Sequence, residues 1–140
     1  MEILISSVGT TDPISKNRDA ALLHIARTYR PEKIVLVYSE EMLVKKDFVE
    51  KALFSIEGYH PEVMIESTIL KNDEVYLFDK MYEVMGQIIE KYSGTEHQLI
   101  LNLSSGTPQI ISALFALNRI NDYNTQAIQV ATLSKFANKK

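Results

Sequence analysis

The residues best spaced for chemistry form one turn, SSGTP at positions 104–108, between two apolar runs. Gly106 can adopt a positive φ and lets the backbone approach a ligand, because it has no Cβ. Thr107 suits the N-cap of a helix, and Pro108 suits the first helical position. A buried strand that ends in such a turn leaves backbone N–H groups free at the N-terminus of the next helix. This pattern predicts a pocket for an anion.

The N-terminal segment repeats this design in a looser form. The apolar run Ile3–Val8 leads into GTTDP at positions 9–13, in which Asp12 is a candidate helix cap. In a doubly wound sheet the first strands of the two halves are neighbours, and the ligand crevice opens beyond their carboxyl ends. We therefore expect the turns at Gly9 and Gly106 to border one crevice.

Motifs of other enzyme classes are absent. The sequence has no G-x-G-x-x-G fingerprint, no Walker A lysine and no G-x-S-x-G elbow. His24, His60 and His97 lack metal-ligand spacing, so neither a metal site nor a cofactor is expected. Arg18 and His24 fit the loose Arg-x(4–6)-His spacing of certain ribonucleases, but on one helix they would point roughly 120° apart. This match is therefore rejected.

Hydrophobic patterning predicts an α/β fold. Apolar runs without alternation are typical of strands buried on both faces in a parallel sheet, and amphipathic segments between them are typical of covering helices. The order βαβαβαβαβ favours a Rossmann-like three-layer sandwich with a mainly parallel sheet. The predicted strands are Ile3–Val8, Ile34–Tyr38, Val63–Leu70, Leu99–Leu103 and Ala127–Leu133, and the predicted helices are Ser15–Tyr29, Met42–Ile56, Glu74–Tyr92 and Thr107–Ile120.

Composition limits the location and the partners. The chain has 140 residues, 46% hydrophobic and 24% charged, which is typical of one globular domain. It has no cysteine, no signal-like start and no apolar run near the ~20 residues of a membrane span, so we expect a cytoplasmic protein without membrane contact. A net charge of −3 argues against binding long nucleic acid and favours a small anion. The polar segment after Leu133 resembles a chain that continues more than a finished terminus.

Two segments carry a family resemblance. ILISSVGTTDPI at positions 3–14 and LILNLSSGTPQI at positions 99–110 resemble the CARF sensor domain of the accessory ribonucleases of type III-A CRISPR systems. The most specific part is NLSSGTPQ at positions 102–109, and the likeness runs through nearly the whole chain. The resemblance agrees with the Rossmann-like strand and helix order.

The resemblance implies a role in antiviral defence. Members of that family are homodimers whose paired CARF domains bind a ring of four or six 3′,5′-linked adenylates. The ring switches on a C-terminal HEPN domain, which cuts single-stranded RNA without a metal, and some of these CARF domains slowly cleave the ring. The HEPN half is missing from these 140 residues, so the resemblance implies that residues 1–140 are a single CARF domain, the sensor part.

Three functions remain open, of which the sensor is the primary hypothesis, and enzymatic activity is open as well. The chain is a cyclic oligoadenylate sensor, a metal-independent ring nuclease with catalytic hydroxyls from Thr107, Ser105 and Thr10, or a generic Rossmann-like domain for a mononucleotide or an interaction partner. Turn and cap chemistry alone could also explain the hydroxyls. The candidate ligand-binding residues are Gly9, Thr10, Thr11, Asp12, Ser104, Ser105, Gly106, Thr107 and Gln109, with Ser39, Glu40, Asn72 and Asp73 as candidate base contacts.

Overall fold

A computed structural model describes residues 1–120 and 123–131 of the chain. Strands and helices alternate along most of it, and a small hairpin is inserted after the first strand. The elements in chain order are β1 (Glu2–Ser7), β2 (Ile14–Ser15), β3 (Arg18–Asp19), α1 (Ala21–Tyr29), β4 (Lys33–Val37), a short 3-10 helix (Glu41–Lys45), α2 (Lys46–Phe54), β5 (Glu62–Ile65), α3 (Phe78–Tyr92), β6 (Gln98–Asn102), α4 (Pro108–Asn118) and β7 (Thr125–Ile128).

Five strands form one parallel sheet in the order β5-β4-β1-β6-β7. The chain winds outward from β1 through β4 to β5, and then returns to the other side of β1 with β6 and β7. The direction of winding therefore reverses between β1 and β6. In open α/β sheets, ligands bind beyond the carboxyl ends of the strands at this position.

The core has two halves, one on each face of the sheet. Alternate residues of β1 face opposite sides, so that Ile3 and Ile5 pack with helices α3 and α4, while Leu4 packs with α1 and α2. All three side chains are almost fully buried. This burial on both faces explains the unbroken apolar strands. The α/β, Rossmann-like three-layer sandwich predicted from the sequence is confirmed.

The first helix begins later than predicted. Residues from Ile14 to Asp19 form the small antiparallel hairpin of β2 and β3, and α1 starts only at Ala21. The hairpin turn places Lys16 and Asn17 at positive φ, a conformation that a helix does not allow. The predicted helix Ser15–Tyr29 is therefore wrong in its first six residues, 15 to 20.

Four other predicted elements also need corrected boundaries. The predicted helix Met42–Ile56 is a 3-10 helix followed by α2, and the predicted helix Glu74–Tyr92 begins only at Phe78. The predicted strand Val63–Leu70 ends at Ile65, although Leu70 still forms an isolated parallel bridge to Ser39. The last strand is Thr125–Ile128, and Leu133 with the tail after it lies outside the described residues.

Candidate functional site

The two predicted turns lie against each other beyond the ends of β1 and β6. Ser7 Oγ donates a buried hydrogen bond of 2.8 Å to the carbonyl oxygen of Ser105. The Asn102 amide donates to Ser6 Oγ at 3.0 Å and to Ser105 Oγ at 2.9 Å. All four residues are buried. Polar side chains inside the sheet therefore hold the two turns together.

Close packing requires a glycine at Gly106 and leaves little room for a side chain at Gly9. Gly106 has a φ of +106°, and a Cβ at this position would overlap the hydroxyl of Ser7. A Cβ on Gly9 would lie 3.0 Å from the backbone nitrogen of Gly106. The backbones of the two turns thus approach more closely than side chains at these positions would allow.

A cleft of about 210 Å³ opens above these turns. Its floor is the carboxyl end of the sheet, and loops after β1, β4, β5 and β6 surround it. The turns contribute the segments 7–10 and 106–108, and the other loops contribute Ser39, Glu41, Met42, Leu70, Val75 and Tyr76 among the lining residues. The cleft therefore lies at the switch point of the sheet, where the sequence predicted a crevice.

Backbone donors supply the positive character of the cleft. Within the described part of the chain, the N–H groups of the lining residues Gly106 and Thr107 donate no hydrogen bond, and neither does the N–H of Gln109, which follows them outside the lining. They lie at the N-terminus of α4, where the helix dipole favours negative charge. Among the described lining residues none is basic, and Glu41 is the charged one. A phosphate in this cleft would thus be held by peptide groups.

The hydroxyls of Ser105 and Thr107 are already engaged in holding the structure. Thr107 Oγ1 donates to the carbonyl oxygen of Val75 and accepts a 3.3 Å hydrogen bond from Ile110 N, as a helix N-cap does. Ser105 Oγ accepts from Asn102 and is buried. Thr107 still lines the cleft, whereas Ser105 does not.

The first turn presents one hydroxyl to the cleft. Thr10 is exposed, lines the cleft, and makes no side-chain hydrogen bond to any described residue. Thr11 is exposed but lies outside the lining. Asp12 is 1% exposed, and its carboxylate accepts from Gly9 N at 2.8 Å and from Leu22 N at 3.1 Å. Asp12 therefore shapes the turn and caps α1 from inside the protein.

The candidate base contacts divide into two groups. Ser39 lines the cleft, and its hydroxyl accepts from Met42 N at 3.3 Å. The carboxylate of Glu40 accepts a 2.9 Å hydrogen bond from Asn72 N. The side-chain oxygen of Asn72 in turn accepts one from the backbone N–H of Glu41. These bonds join the loop after β4 to the loop before α3. Asp73 is exposed, and neither it nor Glu40 nor Asn72 is among the lining residues.

Two further predicted residues, Ser104 and Gln109, lie beside the cleft without lining it. The hydroxyl of Ser104 accepts a 2.7 Å hydrogen bond from Val130 N, and its own N–H donates to Asn102 Oδ1. Gln109 Oε1 is buried and has no partner among the described residues. Ser104 thus stabilises the turn, and the Gln109 side chain keeps an unused acceptor.

Lys45 is a site residue that sequence reasoning missed. Its ammonium donates to the carbonyl oxygens of Gly9, Thr10 and Asp12, with distances of 3.3 Å to Gly9 and 2.7 Å to Asp12. In the sequence Lys45 belongs to a charged stretch typical of a solvated helix face. Lys45 is the last residue of the 3-10 helix, directly before α2, and from there its ammonium reaches the first turn.

Tyr38 directly follows β4 and belongs to the core on the α1 and α2 side of the sheet. The side chain is fully buried, and its hydroxyl has no partner among the described residues. Burial raises the pKa of Tyr38 above its ordinary value, and the negative charges of Glu50 and Asp12 raise it further. Tyr38 therefore stays neutral and contributes packing beneath the cleft.

Fold and site together define a Rossmann-like domain with a cleft at its switch point, and backbone N–H groups of the lining residues Gly106 and Thr107 are free there. The family model of the Cas_Csm6 CARF domain matches residues 62–140, which is more than half of the chain. The chain therefore belongs to the CARF domains of the Csm6 family. No helix among the described residues is both long enough and apolar enough to cross a membrane.

Several known proteins are similar to the chain. It is 74% identical to the CRISPR system endoribonuclease Csm6 of Streptococcus thermophilus, covering 100% of this chain and 33% of that protein. It is 33% identical to the enzyme of the same name from Mycobacterium tuberculosis, covering 98% of this chain and 34% of that protein. The solved structure of Enterococcus italicus Csm6 bound to cyclic hexa-2'-fluoro-hexa-dAMP superimposes with a TM-score of 0.69 at 30% identity, covering 94% of this chain and 34% of that one. The chain thus spans about a third of the length of the curated relatives that it matches.

Proposed function

We propose that this domain senses a cyclic oligoadenylate, which binds in the cleft between the turns at Gly9 and Gly106. The observation that carries the proposal is the solved Csm6 neighbour, which has a cyclic hexa-adenylate analogue bound. The cleft supports it with free N–H groups at the N-terminus of α4, which suit the phosphates of a nucleotide ring. Because the ligand is a nucleotide made inside the cell, we propose a cytoplasmic sensor.

A two-fold symmetric homodimer is part of the proposal. A ring of four or six identical nucleotides has even symmetry, so each half can meet the same surface of one protomer. The cleft of about 210 Å³ is too small for a whole ring, which agrees with a ligand shared between two copies. In this arrangement, Gly9, Thr10, Gly106 and Thr107 contact the ring in each protomer.

The proposed role in a longer protein follows from the relatives. Those relatives are CRISPR system endoribonucleases, and the chain corresponds to about a third of their length. We propose that ring binding to this domain regulates RNA cleavage by another domain of such a protein. The described residues contain no cluster of three or more potential metal ligands, and the proposed binding uses none.

Isothermal titration tests the proposal directly. The protein is titrated with cyclic tetra-adenylate, cyclic hexa-adenylate, linear oligoadenylate and AMP. We expect one ring per dimer, with linear forms and AMP much weaker, and the ring that binds identifies the activator. Absence of binding to both rings, or preference for AMP, would contradict the sensor and leave a mononucleotide-binding or interaction domain.

Glu41 allows the location of the ring to be tested in a protein that folds. It is exposed and charged and lines the cleft, so its carboxylate repels a bound phosphate. We expect Glu41→Lys to bind the ring several-fold more tightly at low salt, and the gain to shrink at high salt. Glu83→Lys on α3 changes the net charge equally but lies outside the lining. Equal gains in both variants would place the ring elsewhere.

Ring cleavage is the second candidate function, and the free hydroxyl of Thr10 favours it. Cleavage requires a ribose 2′-OH aligned with the adjacent phosphate, together with donors that stabilise the developing charge. Thr10 lines the cleft and can donate without losing an existing bond to a described residue, whereas Thr107 already donates to the Val75 carbonyl and Ser105 is buried outside the lining. We expect any ring cleavage to continue in EDTA and to be slower in Thr10→Val. A Thr10→Val variant that binds and cleaves at the normal rate would exclude this role.

A further inference from the structure

Tyr76 differs from the other large side chains in the cleft. Met42, Leu70 and Val75 also line it, and each is at most 8% exposed. Tyr76 also lines the cleft but is 63% exposed, so its side chain is accessible to a ligand and contributes little to the core. A large exposed aromatic ring in a cleft is a candidate contact for a ligand.

The backbone next to Tyr76 is held in place by Thr107, which belongs to the turn at Gly106. The carbonyl of its neighbour Val75 accepts the hydrogen bond from Thr107 Oγ1, the N-cap of α4. Val75 N donates to the carbonyl of Lys71 at 3.1 Å, and Leu77 N donates to the carbonyl of Glu74 at 2.9 Å. The backbone at Tyr76 is therefore held beside the N-terminus of α4 by hydrogen bonds of its two neighbours.

We infer that Tyr76 stacks on an adenine base of the bound ring, which makes it a specificity-determining residue of the proposed sensor. Phosphates are held by peptide N–H groups at one side of the cleft, and the adjacent exposed ring offers a flat π surface to a base. This inference rests on the proposed function, because it assumes that a nucleotide ring occupies the cleft.

If Tyr76 stacks on a base, substitutions of Tyr76 should change ring affinity according to whether they keep an aromatic ring. The aromatic ring carries the interaction, so Tyr76→Phe should bind cyclic adenylate within about two-fold of the unchanged protein. Tyr76→Leu keeps an apolar side chain of moderate size but removes the π face. Because the side chain is largely exposed, this change should leave the fold intact.

The experiment compares these two variants with a matched control. Tyr82 is also an exposed tyrosine, 38% accessible, but it lies on α3 outside the lining, so Tyr82→Leu controls for loss of an exposed aromatic ring. Affinity for the ring that the unchanged protein binds is measured by titration, and oligomeric state is measured by light scattering. We expect binding to weaken at least about ten-fold in Tyr76→Leu alone, with the oligomeric state unchanged.

A spectroscopic readout separates stacking from indirect effects. Stacking on an aromatic ring shifts the adenine H2 and H8 resonances upfield, and this shift should persist in Tyr76→Phe and disappear in Tyr76→Leu. Normal affinity with an unchanged shift in Tyr76→Leu would overturn the inference, as would loss of the dimer in that variant. If the unchanged protein binds neither ring, the proposed function fails first.

Discussion

The hydroxyl of Ser7 donates a 2.8 Å hydrogen bond to the carbonyl of Ser105, although 98 positions separate the two residues in the sequence. The bond joins the end of β1 to the turn after β6, across the line where the winding of the sheet reverses. The position of each turn therefore depends on the other. Changes that separate the turns should alter stability and ligand binding together.

Gly106→Ala should separate them. The added Cβ would overlap the Ser7 hydroxyl. The backbone of the alanine would also have to adopt a φ of +106°, which L-residues rarely do. We expect a loss of about 1–3 kcal/mol in the free energy of unfolding, measured by urea denaturation, together with weaker ring binding. Gly86→Ala is the matched control, because Gly86 lies inside α3 and a Cβ there would make only an ordinary 3.5 Å contact with Leu117.

The control should change stability in the opposite direction. Alanine has a higher helix propensity than glycine, so Gly86→Ala should raise the free energy of unfolding by up to ~1 kcal/mol without a change in ring affinity. If both alanine variants unfold at the same urea concentration as the unchanged protein, the close packing at Gly106 does not contribute to stability.

Lys45→Met should loosen the first turn. The methionine keeps the packing of the stem but removes the ammonium that bonds to the carbonyls of Gly9, Thr10 and Asp12. Hydrogen bonds from a charged donor contribute about 1.5–3 kcal/mol, so we expect lower stability and weaker ring binding. Lys45→Arg should retain only part of the stability and ring affinity of the unchanged protein, since a planar guanidinium cannot direct one nitrogen at three carbonyls.

Lys46→Met serves as the neighbouring control. Lys46 is exposed and begins α2, and the structure shows no side-chain hydrogen bond from it to any described residue. A loss of affinity in Lys46→Met equal to that in Lys45→Met would indicate a general charge effect and would contradict the specific role of Lys45.

Thr107→Val should reveal a structural role for that hydroxyl. Valine has a similar shape but cannot cap Ile110 N or donate to the Val75 carbonyl. We expect a loss of about 1–2 kcal/mol in unfolding free energy, whereas Thr107→Ser should retain most of the stability. A valine variant with normal stability would leave the hydroxyl available for ligand or catalysis, as the sequence suggested.

The strands and the meeting of the two turns were predictable from sequence because their signals are local. Unbroken apolar segments such as Ile3–Val8 indicate burial on both faces, and a Gly-Thr-Pro arrangement after a strand indicates a turn and a helix start. The winding order then determines which turns become neighbours. The structure confirms that Gly9 and Gly106 approach closely.

The functions of individual side chains were not predictable because they depend on distant partners. Asp12 is a capping residue by type, but it caps α1 from ten positions away, across the β2–β3 hairpin. Lys45 has an ordinary surface sequence and binds carbonyls of another loop. The sequence pattern around Tyr76 predicted a helix from Glu74, whereas α3 begins only at Phe78. The hydrogen bond from Thr107 to the Val75 carbonyl, which helps to hold the turn there, joins distant residues and cannot be predicted from the neighbouring sequence.

Tyr92 should make the protein sensitive to alkaline pH. Its hydroxyl donates a 2.9 Å hydrogen bond to Glu66 Oε2, and Glu66 is only 4% exposed. Burial, followed by the bond to the Glu66 carboxylate, raises the pKa of Tyr92 to about 12. The folded state thus favours the neutral phenol. The contribution of Tyr92 to the free energy of unfolding is therefore complete below the unfolded pKa of about 10, and it is lost as pH rises toward about 12.

Urea denaturation of Tyr92→Phe over a pH series isolates this effect. At neutral pH the variant should be less stable by ~1 kcal/mol, because it lacks the bond to Glu66. Above pH ~10 the unchanged protein should lose stability faster than the variant, so the two curves converge. Tyr38 and Tyr59 also have raised pKa values but are present in both proteins, so the difference between the curves belongs to Tyr92. Curves that stay parallel up to the highest pH would show that Tyr92 ionises equally easily in the folded and unfolded states.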